Sequence, residues 1–377
     1  MQLFAKLCRD DVPLVRRVAS HSLGIMFTNA VTVLGLSSIS EPEGAINRLI
    51  IPLYEELARN DQDSVRLQTT ENCVMFGRAI TEIMKKDPKS FMQQEELTDK
   101  ILPLLVSTIE DRSWRVRWTA ASKFNEAVHA FSFLTGAVAE LIPAYEKLLQ
   151  DTEAEVRTAA TFNLADVARC SDKVGPEVVD RLLMRVATLT DDDSEHVRAA
   201  LAMVATELAP ILGKDKTIQH LLPPLLLLLR DPSSEVRLNL ISSLSPLNDV
   251  IGVDLLSQSL YPAIVDLSED RKWRIRLAII NHIPLLAKQL GRDFFSEKLS
   301  KLCVAWLGDD ISTIREAAAK NLMVRFQTLF PITDSYACLM HFVLNNTVFD
   351  RAIWIEMDSR SYIAVTCGNT RTSILLA

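Results

Sequence analysis

From Ile218 to Leu247 the chain reads IQHLLPPLLLLLRDPSSEVRLNLISSLSPL, and this stretch decides the fold. Ile218 to Leu229 is apolar on most faces of a helix. Arg230-Asp231-Pro232-Ser233-Ser234 then breaks the pattern, and Glu235 to Leu247 resumes it, with Val236, Leu240 and Leu244 on one helical stripe. Asp followed by Pro predicts the start of the second helix, a capping oxygen and then a ring that fits the first turn. The unit is helix A, short loop, helix B.

The unit recurs. A Val-Arg or Ile-Arg dipeptide places arginines at Arg16, Arg66, Arg117, Arg157, Arg198, Arg237, Arg276 and Arg315. Six residues before each stands Asp10, Asn60, Asp111, Asp151, Asp192, Asp231, Asp270 or Asp309. Fourteen before come Pro52, Pro103, Pro143, Pro223 and Pro262, inside helix A, where proline removes a backbone hydrogen bond and bends the helix. Three columns in one register, most often 39 to 41 residues apart, predict an all-α HEAT-type solenoid: about eight helix pairs in a curved right-handed superhelix, residues 1–322. The Asp and Arg columns have two readings, capping beside an exposed charge or a ladder in which Arg of one repeat bonds Asp of the next. Recurrence at one register favours the ladder.

Composition agrees with an all-α chain: of 377 residues only 11 are glycine and 6% are aromatic. With 41 Lys+Arg against 48 Asp+Glu, net charge −7, the simplest electrostatic case for a nucleic-acid partner is gone. The most apolar run, Leu221 to Leu229, is about half the roughly 20 residues that span a bilayer, so no membrane partner is expected. Cys8, Cys73, Cys170, Cys303, Cys338 and Cys367 form no CxxC pair and read as free thiols in a reducing compartment. With no leader pattern in the opening residues, the expected location is cytoplasmic with a nuclear pool. No P-loop, nucleophile elbow, dinucleotide turn or HExxH helix occurs, and the six histidines are dispersed. The prediction is no enzyme, no cofactor and no metal.

Several segments go beyond a generic repeat. Asp61-Gln62-Asp63-Ser64-Val65-Arg66-Leu67, Asp111-Arg112-Ser113-Trp114-Arg115-Val116-Arg117, Leu212 to Ile218, and above all Leu256 to Leu307 with its Arg271-Lys272-Trp273-Arg274-Ile275-Arg276, resemble the scaffold (A) subunits of protein serine/threonine phosphatase type 2A. The resemblance covers residues 1–322 and implies a partial chain similar to repeats five to twelve of a fifteen-repeat horseshoe. It implies a heterotrimer whose A–B loops hold the catalytic subunit together with a variable (B-type) regulatory subunit. Regulatory-subunit contacts carry over to Asp11, Pro13, Arg16, Arg17, Asp63, Ser113, Trp114 and Arg115, and catalytic-subunit contacts to Lys272, Trp273 and Arg274. Interface hot spots are enriched in Trp and Arg; the other reading of Trp114 and Trp273 is cover for the edge of the next repeat.

Two spacings are longer than the family's, around Ser37–Gly44 and Lys85–Gln94, and read as surface turns between repeats. Beyond Leu322 the columns stop. Residues 323–377 are expected to be a non-repeat tail, poorly ordered or aberrant, in which Tyr362-Ile363-Ala364-Val365-Thr366 reads as strand. The rival to the scaffold is another HEAT adaptor, a nuclear-transport-type carrier or a nucleic-acid-binding array, which would line its helix B face with acidic, Asn/Trp or basic ladders. The tryptophans are read as loop residues, which favours the scaffold.

Overall fold

A computed structural model describes residues 2–34, 46–86, 91–132, 135–170, 176–329, 353–358, 362–367 and 370–375. The insertion at Ser37–Gly44 lies outside the described residues. Of the other, Lys85 and Lys86 end one helix, Phe91 to Gln94 open the next, and 87–90 lie outside.

The chain divides into two units, Met1–Leu228 and Leu229–Ala377. In the first, A and B helices alternate. They are α1 (Gln2–Cys8) and α2 (Pro13–Leu34); α3 (Ile51–Ala58) and a B helix in two pieces, α4 (Asp63–Arg66) and α5 (Gln68–Lys86); and α6 (Phe91–Ile109) with α7 (Trp114–Ser122) and α8 (Phe124–Ala130). There follow α9 (Thr135–Leu148) with α10 (Ala154–Phe162) and α11 (Leu164–Cys170), α12 (Pro176–Thr190) with α13 (Glu195–Val204), then α14 (Ala209–Lys216) and α15 (Leu222–Leu228). The second unit holds α16 (Ser234–Ser242), α17 (Ser245–Ile251), α18 (Val253–Ser268), α19 (Trp273–Phe294), α20 (Ser300–Trp306) and α21 (Ser312–Leu329). After α21 come β1 (Ile353–Asp358), β2 (Tyr362–Cys367) and β3 (Thr370–Leu375), an antiparallel sheet in that order. The strand reading of Tyr362–Thr366 falls within β2, and the last helix runs seven residues past Leu322.

The apolar stripes of both helices face inward. Leu23, Phe27, Tyr54, Phe76, Phe124 and Tyr145 are buried. Phe76 meets Phe27 at 4.2 Å and Tyr54 edge-on at 5.0 Å, which ties helices B of two successive repeats to the helix A between them. In both the second and fourth repeats a tyrosine on helix A donates across the pair, Tyr54 to Thr69 O at 3.1 Å and Tyr145 to Ala160 O at 2.7 Å. Two glycines with positive φ each stand fifteen residues after a ladder arginine: Gly213 (72°) breaks α14 and Gly252 (87°) ends α17. That conformation is costly for a residue with a Cβ.

The proline column behaves in two ways. Pro103, Pro143 and Pro262 lie inside α6, α9 and α18. Pro52 and Pro223 instead stand at the heads of α3 and α15, directly after π-helical turns at Ile46–Ile50 and Thr217–Leu221, so that the ring meets a wider turn instead of an α-helical carbonyl. Cys8, Cys73, Cys170 and Cys303 are buried free thiols. Burial pushes Cys8 up to about 11 and Cys73 up to about 12; Cys338 lies outside the described residues.

Tyr145→Phe tests the cross-pair bond. It removes one of two donors from the buried Ala160 carbonyl, which keeps the Asn163 N–H at 3.0 Å, so the cost is that of one hydrogen bond, about 0.5–1.5 kcal/mol. Amides of α9 and α10 should exchange roughly tenfold faster, the equivalent of about 1.4 kcal/mol, with little change in α1 and α2, because repeats couple mainly to neighbours.

Candidate functional site

Each A–B loop is built on one side chain. The column residue accepts, on Oδ1, the backbone N–H two positions on: Asp10 from Val12, Asn60 from Gln62, Asp111 from Ser113, Asp151 from Glu153, Asp192 from Ser194, Asp231 from Ser233, Asp270 from Lys272 and Asp309 from Ile311, at 2.8 to 3.1 Å. This is an Asx turn, not the helix cap expected for Asp231-Pro232. Ser233, two residues later, is the N-cap, and it makes no side-chain cap bond.

Within the first unit Asp111, Asp151 and Asp192 each take the arginine of the preceding repeat. Arg66 forks onto Asp111 at 2.7 and 2.8 Å, Arg117 onto Asp151 at 2.6 and 2.9 Å, and Arg157 onto Asp192 at 2.7 and 2.8 Å. In the second unit Arg276 forks onto Asp309 at 2.9 and 3.0 Å. The remaining guanidinium nitrogen turns back to the arginine's own loop, as in Arg117 to Asp111 O at 2.9 Å and Arg157 to Asp151 O at 2.7 Å. The ladder is thus what the columns encode. Its rungs differ: where the column holds Asn60, Arg16 reaches past the amide oxygen at 3.4 Å to Asp61 at 3.0 Å, and Arg237 stands 3.7 Å from Asp270. In both weaker rungs the arginine Nε has no partner.

Burial would raise the carboxyls of Asp111, Asp151 and Asp192. The hydrogen bond from the facing arginine, the loop N–H and the arginine's charge outweigh it and hold all three below the ordinary 3.8.

A second column was not read from the sequence. Six residues after the ladder arginines stand Ser22, Asn72, Lys123, Asn163, Val204, Ser243, His282 and Asn321. Several reach back to helix B of the preceding repeat. Asn72 Nδ2 donates to Ser20 O at 2.8 Å and Asn163 Nδ2 to Ala121 O at 2.7 Å, Lys123 pairs with Glu71 at 2.9 Å, and Asn321 Nδ2 donates to Ile280 O. Helix B is broken at Lys123 and Asn163, whose φ and ψ leave the helical region. The legible signal was a polar residue recurring on an apolar face.

Some of the residues implied by the family resemblance come together on the loop ridge of the first unit. Asp63 accepts from Ser113 Oγ at 3.0 Å and stands 3.8 Å from Arg115, whose guanidinium lies 5.5 Å from the Trp114 ring. Asp11, Pro13 and Arg17 are exposed. Arg16 is largely turned inward, donating to Asp10 O and Asp11 O at 2.9 and 3.1 Å. In the second unit Lys272 is exposed and Arg274 lies 4.9 Å over Trp273. The tryptophans are not loop residues. Trp114 and Trp273 are the first residues of α7 and α19, Trp118 lies one turn into α7, and Trp306 ends α20, buried, donating to Ser268 O at 3.2 Å. The Asx turn uses up the loop, so the residue after the N-cap is already helical.

Among the described residues no group of His, Cys, Asp and Glu is arranged to hold a metal ion, and no helix is long and apolar enough to cross a membrane. Residues 137–213 match the family described as PPP2R1A-like HEAT repeat, and residues 221–251 match HEAT repeat. The chain is similar to the beta isoform of the human 65 kDa regulatory A subunit of serine/threonine-protein phosphatase 2A, 44% identical over 86 residues, 22% of this chain and 14% of that one. It is also similar to the regulatory A subunits of protein phosphatase PP2A from Schizosaccharomyces pombe, 42% over 123 residues (33% and 17%), and from Saccharomyces cerevisiae, 37% over 142 residues (38% and 20%). The chain is a HEAT-repeat protein resembling the A subunit of phosphatase 2A. What is aligned amounts to 14 to 20% of those relatives' own length. Solved structures of Kap95p with RanGDP (TM-score 0.63, 14% identity, 92% of this chain and 45% of that one) and of Kap121p bound to Pho4p (0.57, 16%, 92% and 35%) share the fold alone with this A-subunit-like chain.

Removing one rung separates the two duties of its carboxylate. In the A-subunit-like chain Asp151→Ala strands the Arg117 guanidinium and should cost about 3 kcal/mol, within the range for breaking a buried pair. Asp151→Asn keeps the Asx-turn acceptor and should cost less. Because the folded carboxyls lie below 3.8, this stabilisation is complete above the unfolded value and is lost as pH falls below it. Urea melts at pH 7 and pH 3 should show the wild type losing stability and Asp151→Asn losing less of it.

Proposed function

We propose that this chain is a non-catalytic scaffold of a type 2A protein phosphatase, bringing a regulatory and a catalytic subunit together through its A–B loops. One observation carries the reading: a stacked Trp-Arg pair opens helix B in both units, Trp114 exposed and Trp273 half-buried, on loops held by the Arg66–Asp111 rung and by Arg276 on Asp270 O. In this reading Trp114 and Arg115, with Asp63 and Ser113 beneath them and Asp11, Pro13 and Arg17 on the loop two repeats before, meet the regulatory subunit. Arg16 acts by holding that loop. Lys272, Trp273 and Arg274 meet the catalytic subunit. The names of the relatives, regulatory subunits of a phosphatase, support it, and the pre-stacked pair fits an anchor that loses little side-chain freedom on binding.

To test this, the full chain is titrated with purified regulatory subunit in one series and with purified catalytic subunit in another. Trp114→Ala should weaken regulatory-subunit binding at least tenfold, about 1.4 kcal/mol or more, and Trp273→Ala should do the same for the catalytic subunit, neither moving the melting temperature. Unchanged affinity in both would assign the tryptophans to packing and sink the proposal.

A further inference from the structure

A cavity of about 520 Å³ opens on the helix B face of the third to fifth repeats, between α7, α10 and α13. Its shape comes from the size of the residues at two register positions. One residue after the ladder arginine the three helices carry Trp118, Thr158 and Ala199; five after it they carry Ser122, Phe162 and Met203. Trp118 on α7 and Phe162 on α10 therefore rise as two walls, with Thr158 and Ala159 in the lining with them. Trp118 is 44% and Phe162 48% exposed, unusual for side chains this large in a folded chain.

The groove's polar lining includes Glu155 and His196, each two residues before its ladder arginine. Glu155 is exposed and makes no ion pair or hydrogen bond through its carboxylate among the described residues. No lysine or arginine lines the groove. Arg117 and Arg157 are committed to rungs, and Arg115 to Asp63 and the Trp114 ring. Glu153, Asp193 and Glu195 add exposed carboxylates at the starts of the same helices. An apolar aromatic slot with an unpaired carboxylate on its lining selects one kind of side chain: an aliphatic stem for the walls and a cationic head for both the aromatic faces and Glu155.

We propose that this groove docks a partner segment through a lysine or arginine side chain, its stem between Trp118 and Phe162 and its charge on Glu155. Trp118, Phe162 and Glu155 are distinct from the loop-ridge residues of the scaffold reading, so the groove holds its occupant whichever subunits the loops bind.

The probe is a fluorescein-labelled peptide of four Lys-Ser dipeptides, titrated by anisotropy against the full chain at low salt. Its counterpart carries norleucine in place of each lysine. Glu155→Gln and Trp118→Ala should each weaken the lysine peptide at least fivefold. Glu140→Gln, which removes the same charge from an exposed position on α9, should change it less than twofold, and the norleucine peptide should not saturate. Equal binding by wild type, Glu155→Gln and Trp118→Ala overturns the proposal. So does an equal loss in Glu140→Gln, which means diffuse attraction to an acidic chain, and so does equal binding of norleucine, which means an apolar occupant. Glu155→Gln, an isosteric change on the surface, keeps the test decisive even if Trp118→Ala fails to fold.

Discussion

The forked bond between an arginine near the start of helix B and the loop aspartate of the next repeat is the constraint on which the rest of the first unit depends. One carboxylate serves two masters: Oδ1 closes its own Asx turn, and both oxygens receive the neighbour's guanidinium. The guanidinium in turn holds its own loop by a backbone carbonyl. A loop built this way cannot move without breaking a bond in the adjoining repeat. Such pairs, 7 to 16% exposed at the side chain, are costly to break because the abandoned charge is poorly hydrated. The rungs add specificity of register on top of the apolar burial that holds the helices together.

Helix B is tied a second time, about a turn and a half further on, by the polar residue six after the arginine. There the bond runs the opposite way, from the later repeat back to a carbonyl or carboxylate of the earlier one. The two ties bracket the segment of helix B between them. Where Lys123 and Asn163 depart from helical geometry, α7 and α10 are short and separately held helices. Surface residues on such pieces are displayed at a fixed pitch, and a change of one side chain's size at one register opens or closes a groove. Trp118 beside Thr158 opens one.

The same economy explains the ridge. A tryptophan directly after the N-cap, beside an arginine that stacks on its face, costs the fold nothing because neither is needed for the rung. Arg16 is the contrasting case. Its column partner is an amide, it compensates with Asp61, and its guanidinium is occupied by its own and the next loop. Residues of one loop can thus act on a partner either by touching it or by fixing the loop that touches it.

The sequence by itself determined the repeat period, the helix A–loop–helix B unit, the Arg–Asp partnership and the strand at Tyr362–Thr366, because periodicity and recurrent charge are local or registered signals that survive without coordinates. Only the tertiary structure decided what those residues do. Asp231-Pro232 read as a helix cap in the sequence, but the side chain closes an Asx turn on the Ser233 N–H instead, and Ser233 is the N-cap. The tryptophans read as loop residues, but the tight Asx turn starts the helix one residue earlier. The polar column at Asn72 and Asn163 was hidden because an amide looks like surface until its acceptor, a carbonyl on another repeat, is placed beside it. The groove at Trp118 depends on the sizes of side chains about 40 residues apart in sequence, a comparison that becomes physical only once two helices are packed side by side.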